Sequence, residues 1–123
     1  MQFHSIRKNT SQAWREVGGK RFFAKSLWEY RYSMFLQMLK EKKSIQDWHY
    51  EPKIFYFEGI KRGTTNYKPD FRIDYADGTH EYVEVKGFYD KKSLTKIKRF
   101  AKYFPDEKLR LVDGKWFKSN NRI

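Results

Sequence analysis

Apolar residues recur every third or fourth position between Trp28 and Leu39, at Trp28, Tyr32, Phe35, Leu36 and Leu39. That spacing lines one face of an α-helix and predicts a helix from Ser26 to about Lys43. Ser26 and Glu29 stand in the Ser-x-x-Glu spacing of a capping box. The pattern then shortens. DWHYEPKIFYFEG reads as an aromatic-rich strand, with Pro52 marking an edge or a bulge. Gly63 to Asn66 reads as a loop. Two strands follow, about Tyr67–Ala76 and Thr79–Gly87, around a turn at Asp77-Gly78. A second helix is predicted from about Lys91 to Tyr103, with Leu94, Ile97, Ala101 and Phe104 as its apolar stripe and Pro105 as its stop. Leu109–Val112 reads as a last short strand, and Asp113-Gly114 turns the chain into Lys115-Trp116-Phe117. Helix, three strands, helix, strand predicts an α/β or α+β fold with a mixed central sheet flanked by helices. Residues 1–25, broken by Gly18-Gly19, read as a basic N-terminal arm or short helix. Residues 26–123 form the domain proper.

Charge interrupts the strand pair. Successive strand residues face opposite ways, so Val83 and Val85 share one face, and Glu84 and Lys86 share the other. Two loops compete at Asp77-Gly78. A two-residue loop sets Phe71 opposite Glu84. A three-residue loop with Gly78 left-handed pairs Tyr75 with Thr79, Phe71 with Val83 and Asp70 with Glu84. The second is preferred because it keeps apolar residues together, although it sets Ile73 opposite Glu81, where a bulge would relieve the mismatch. Two carboxylates held side by side repel unless a cation lies between them. Oxygen donors at this spacing suit Mg²⁺, which takes one or two carboxylates and completes its shell with water or phosphate oxygens. A lysine beside such an ion, at Lys86, suits phosphodiester hydrolysis. The competing reading is a surface salt bridge from Asp70 or Glu84 to Lys86. The hairpin that gathers these residues, their apolar flanks and the basic remainder of the chain favour the site.

Composition sharpens this. The 123 residues suggest one domain, and with no cysteine there is neither a disulfide nor a thiolate metal site. No run of apolar residues is long enough to span a membrane, and the first twenty residues lack the apolar middle of a signal peptide. These features predict a cytoplasmic protein. The net charge is +12, from 27 basic and 15 acidic residues. The excess lies at the two ends, and the middle is nearly balanced. Basic ends around an acid-rich centre predict a polyanionic partner and a separate cation site. The expected phosphate contacts are Lys20 and Arg21 near the N-terminus, and Lys91, Lys92, Lys96, Arg99 and Lys102 on the second helix. His4, His49 and His80 are scattered without ligand spacing. Gly18-Gly19-Lys20-Arg21 lacks the earlier glycine and the Ser/Thr of a P-loop.

Pro69-Asp70, thirteen residues, then Glu84-Val85-Lys86 resembles the motif of the PD-(D/E)XK nuclease superfamily. The predicted order from Ser26 to Val112 resembles that superfamily's αβββαβ, restriction-endonuclease-like core. YKPDF with VEVKG, and a first helix carrying an acid, is similar to small phage endonucleases of the Holliday junction resolvase type. The resemblance implies a DNA endonuclease using Mg²⁺, or Mn²⁺ in its place. It implies that Asp70, Glu84, Glu29 and the Val85 carbonyl are metal ligands, and that Lys86 is the catalytic lysine. It also implies branched or duplex DNA as partner, a homodimer that pairs through an edge such as Trp48–Phe57, and a bacterial or phage-infected cell. The alternatives are a nuclease-like domain that binds nucleic acid without cutting it, and a structural or ribosome-associated basic protein.

Overall fold

Ser26 begins the first helix as its spacing predicts. It takes extended backbone, and its hydroxyl accepts from the Glu29 N–H at 3.1 Å. Helix α1 then runs Leu27–Glu41. The computed structural model describes residues 11–120. At the far end of α1, Lys43 takes a left-handed φ of 63°. Its N–H bonds the Lys40 carbonyl, and the Ser44 N–H reaches back to the Leu39 carbonyl. This paired closure is a Schellman motif, and it stops the helix before Lys43.

Residues 13–24 correct the expected arm or short helix. They form a hairpin of β1, Ala13–Val17, and β2, Lys20–Ala24. Gly18 and Gly19 join the strands with φ of 58° and 81°, and a type I′ turn needs positive φ at both central positions. Val17, Phe22 and Ala24 enter the main core. The other inward residues include Arg15, over the Tyr30 ring at 4.2 Å, and Lys20, paired with Asp47 at 3.3 Å. The first ten residues of the expected arm, His4 among them, lie outside the described residues.

The chain continues through β3 (Asp47–Tyr50), β4 (Phe55–Tyr56), β5 (Asn66–Tyr67), β6 (Phe71–Asp74), β7 (His80–Val85), α2 (Lys91–Tyr103), β8 (Leu109–Val112) and α3 (Gly114–Ser119). The main sheet has the order β3-β6-β7-β8. Its first three strands are antiparallel, and β8 runs parallel to β7 because α2 carries the chain back along the sheet. The fold is mixed α+β with a mixed sheet. The single strand expected through DWHYEPKIFYFEG is split. Glu51 turns left-handed at φ 45°, Pro52 follows, and the chain leaves the sheet to build the small β4–β5 ribbon. The strand expected over Tyr67–Ala76 is likewise divided between β5 and β6. At the far end, Lys115-Trp116-Phe117 is helical, because Asp113 caps α3 and accepts from Lys115 and Trp116 N–H.

The β6–β7 register is the three-residue-loop register: Phe71 opposes Val83, and Gly78 has φ 89°. No bulge relieves Ile73 opposite Glu81. Glu81 instead stays buried in the ladder, accepting from Tyr75 Oη at 2.5 Å and pairing with Arg110 at 3.0 Å.

Each sheet face carries its own core. On one, α1, the hairpin and α3 cover Trp48, Phe71, Val83, Val85 and Val112. On the other, α2 and the β4–β5 ribbon gather Phe55, Phe57, Tyr67, Tyr82 and Phe100. The contact face of α2 is rotated from expectation. Phe100 is its buried residue, while Leu94 and Ala101 are exposed. Among the described residues, no helix is long and apolar enough to cross a membrane.

Candidate active site

The end of the β6–β7 ladder is set by a proline. Tyr82 and Lys86 N–H donate to the Lys108 and Val112 carbonyls on the β8 side. The odd residues of β7 therefore turn their N–H and C=O toward β6. Continued past Phe71–Val83, the register sets Asp70 opposite Glu84 and Pro69 opposite Val85. Proline has no N–H to offer, so the Val85 carbonyl gets no ladder bond from it. The Val85 N–H donates instead to Asp70 Oδ2 at 2.8 Å. On its other side Asp70 accepts at its carbonyl from the Glu51 N–H at 2.7 Å. Pro69-Asp70 thus ends the ladder and fixes a carboxylate at the place where it ends.

Two tyrosines hold the other acids. Tyr67, from β5, donates its hydroxyl to Glu84 Oε1 at 2.6 Å. Tyr50, from β3, donates to Glu29 Oε1 at 2.5 Å. The capping box is only half formed. Ser26 accepts from the Glu29 N–H, but the Glu29 carboxylate takes the Lys25 N–H at 3.2 Å rather than that of Ser26. Glu29 is therefore held by the helix end while remaining on the cleft. Relative exposures are 7 % for Glu29, 6 % for Asp70 and 8 % for Glu84. Each acid has one oxygen tied to protein donors. Among the described residues Asp70 Oδ1, Glu84 Oε2 and Glu29 Oε2 accept no hydrogen bond.

Burial, then the charges of Glu84 and Glu29, pushes Asp70 up to about 8, against the opposing Val85 N–H and Lys25. Burial also raises Glu84, opposed by the Tyr67 hydrogen bond and the Lys86 charge. Burial works against the charged form of Lys25, yet Glu51, Glu29 and Asp70 outweigh it and raise its pKa. A set of buried carboxylates that disfavour one another's ionisation, rimmed by lysines, is a site awaiting positive charge.

These groups share one cleft of about 710 Å³. Glu29, Asp70, Glu84, Val85 and Lys86 line it together, as do Lys92 and Lys96 from α2. Lys91, Arg99, Lys102, Lys20 and Arg21 do not. Arg99 donates to the Thr64 carbonyl and ties α2 to the loop before β5. Lys102 lies over the Tyr103 ring at 6.0 Å, and Lys91 is exposed at the start of α2. Lys20 pairs with Asp47, and Arg21 lies over the Trp14 ring at 5.0 Å. His49 and His80 pair with Asp74 and Glu107 outside the cleft. The sequence pattern did not single out Lys25, Lys68 or Tyr50. Lys25 and Lys68 line the cleft and both bind Glu51, at 2.5 and 3.3 Å. Their signal is spatial: Glu51 directly follows the last residue of β3 and bonds the Asp70 carbonyl, a juxtaposition only the β3–β6 pairing creates.

Residues 14–119 match the model of a family described as a protein of unknown function, DUF1064. The chain belongs to this family. The match runs from the second residue of β1 to the end of α3, so the DUF1064 unit includes the hairpin, both cores and every cleft residue named above. No curated protein matches the chain.

The donor atoms are of the type a hard divalent cation takes. Three carboxylates, each with an open oxygen, and a carbonyl outside the ladder offer oxygen only, as Mg²⁺ or Mn²⁺ prefers. Among the described residues no three His, Cys, Asp or Glu side chains are grouped so as to hold a metal ion by themselves.

Proposed function

We propose that the chain is a metal-dependent endonuclease that hydrolyses phosphodiester bonds in DNA, built on the PD-(D/E)XK plan. The observation that carries this reading is the convergence of Asp70, Glu84, Glu29 and Lys86 in one lysine-rimmed cleft, with one oxygen of each acid anchored by the protein. The order α1, β3, β6, β7, α2, β8 supports it, since this is the helix, three strands, helix, strand succession of the restriction-endonuclease-like core. The hairpin and the β4–β5 ribbon are additions to that order.

Asp70, Glu84, Glu29 and the Val85 carbonyl would hold Mg²⁺ or Mn²⁺. Bound there, the ion supplies Lewis-acid polarisation of the scissile phosphate and a more acidic water. The protein's own groups do the rest. Lys25, Lys68, Lys92 and Lys96 hold the backbone phosphates on either side. Lys86, on the same face of β7 as Glu84, stabilises the charge that develops on the phosphate oxygens. Water adds to phosphorus, one P–O ester bond breaks, and the leaving oxygen takes a proton.

A binding protein without catalysis would gain nothing from three buried, mutually repelling acids. Resolution of a four-way junction, the finer form of this reading, requires two sites related by a two-fold axis and hence a homodimer. β3, the core of the proposed pairing edge, is an outer strand of the main sheet. The test is a substrate panel of supercoiled plasmid, linear duplex, single-stranded DNA, a four-way junction and RNA, incubated with Mg²⁺, Mn²⁺ or EDTA. Cleavage of DNA that EDTA abolishes is expected. Binding without cleavage under every metal condition would contradict the proposal.

A further inference from the structure

Phe88 is 77 % exposed, the highest value among the large apolar side chains of the described residues, and it lines the cleft two residues after Lys86. The backbone on either side of it is held. Gly87 lies against the Trp28 indole, where a Cβ would come within 2.7 Å of ring atom Cζ3. Asp90 caps α2, its carboxylate accepting from the Ser93 N–H at 2.8 Å. The backbone that carries the ring is thus held on both sides, and the ring lines the cleft with Lys86, Lys92 and Lys96. Leu94, from the first turn of α2, is exposed nearby in the chain.

A flat apolar ring within a rim of cations has the complementarity of a nucleotide. Lysines take the phosphates, and an aromatic face takes the face of a base. In a continuous duplex, neighbouring bases already cover both faces of each base, so an aromatic ring is offered a base face only where a base is unpaired or displaced. Resting on the nuclease reading above, we infer that Phe88 stacks on an unpaired base next to the phosphodiester to be cut. The preferred substrate is then nucleic acid with unpaired nucleotides at the cleavage point, at a branch or in a single strand, rather than continuous duplex.

The experiment uses the full chain and its Phe88→Ala, Phe88→Leu and Phe88→Trp variants. Binding is read in EDTA, so that no metal-dependent cutting intervenes. The probes carry 2-aminopurine either at an unpaired position of a branched oligonucleotide or within a matched duplex. Wild type and Phe88→Trp are expected to change the fluorescence of the unpaired probe, and Phe88→Ala and Phe88→Leu to lose that change. Cleavage in Mg²⁺ should show the preference for unpaired over matched substrate falling about tenfold in Phe88→Ala, the scale of one lost base–aromatic stack. An unaltered fluorescence change and preference in Phe88→Ala would overturn the inference. So would an equal change on the matched duplex, which would show the ring wedging between paired bases. A Phe88-dependent fluorescence change from a wild type that cuts nothing in Mg²⁺ would support the stacking role and overturn the nuclease reading.

Discussion

Tyr67, buried, and Tyr50, half-buried, each donate a hydroxyl to one oxygen of an acid, at 2.6 and 2.5 Å. A carboxylate held in this way keeps its other oxygen free to accept without searching rotamers. Removing such a supporting hydrogen bond costs a metal site on the order of tenfold or more in affinity. Tyr67→Phe is expected to weaken Mn²⁺ binding by about tenfold in calorimetric titration while thermal melting of the metal-free protein moves little. An unchanged metal affinity would show that Tyr67 only packs. Asp70 carries a second consequence. Its raised pKa means that the fold binds its proton more tightly than the unfolded chain does between about pH 4, the ordinary carboxylate value, and about 8. Stability of the metal-free protein therefore falls as pH rises through that window. Asp70→Asn keeps an acceptor for the Val85 N–H and cannot ionise. It should flatten the fall and stabilise the metal-free protein at pH 8 by about 1–3 kcal/mol. Urea melts of both proteins at pH 5 and pH 8 measure this, and parallel curves would contradict it. Period-two patterning singled out Glu84 and Lys86 in the sequence, the hairpin register added Asp70, and the family resemblance added Glu29. The sequence did not disclose Tyr50, Lys25 or Lys68, since their positions relative to Asp70 come from pairing between strands distant in sequence.

Among the elements, α1 was legible from apolar spacing and its Ser26 cap, the span of α2 but not its buried face from spacing and Pro105, and the β6–β7 register from keeping apolar residues opposite one another. The hairpin β1–β2 was not. Its inward positions include Arg15 and Lys20, whose charged groups lie over the Tyr30 and Trp48 rings at 4.2 and 5.4 Å. Such long basic side chains cover apolar surface yet read as polar in a pattern. Gly18-Gly19 was the available signal, since two consecutive glycines suit a turn with positive φ at both positions. The strand through Pro52 was misjudged for a related reason: Glu51 takes a left-handed φ that its residue type does not announce. Lys43 is the same case at the end of α1. A non-glycine residue in that conformation costs about 1 kcal/mol. Lys43→Gly should therefore raise stability by about 0.5–1 kcal/mol and the melting temperature by a few degrees, with cleavage unaffected. A lower melting temperature would mean that the Lys43 side chain contributes more than its backbone costs.

Over the whole molecule, the net +12 charge and the buried acids do not compete, because they occupy different depths. Lys25, Lys68, Lys92 and Lys96 rim the cleft, and the carboxylates lie at its floor. The main sheet makes that separation possible. One face holds the α1–α3 core, the other the α2 core, and the acids gather where the β6–β7 ladder stops. Glu29 reaches the same place from α1, joining the two layers at one site. The measurement that tests this account most directly is the single-turnover rate of plasmid nicking in Mg²⁺ by wild type and by Asp70→Asn, Glu84→Gln and Lys86→Ala. The account predicts cutting by the wild type and a loss of at least about a hundredfold in each variant, with the circular dichroism of each variant unchanged. Nicking at the wild-type rate by any one of the three folded variants would contradict it.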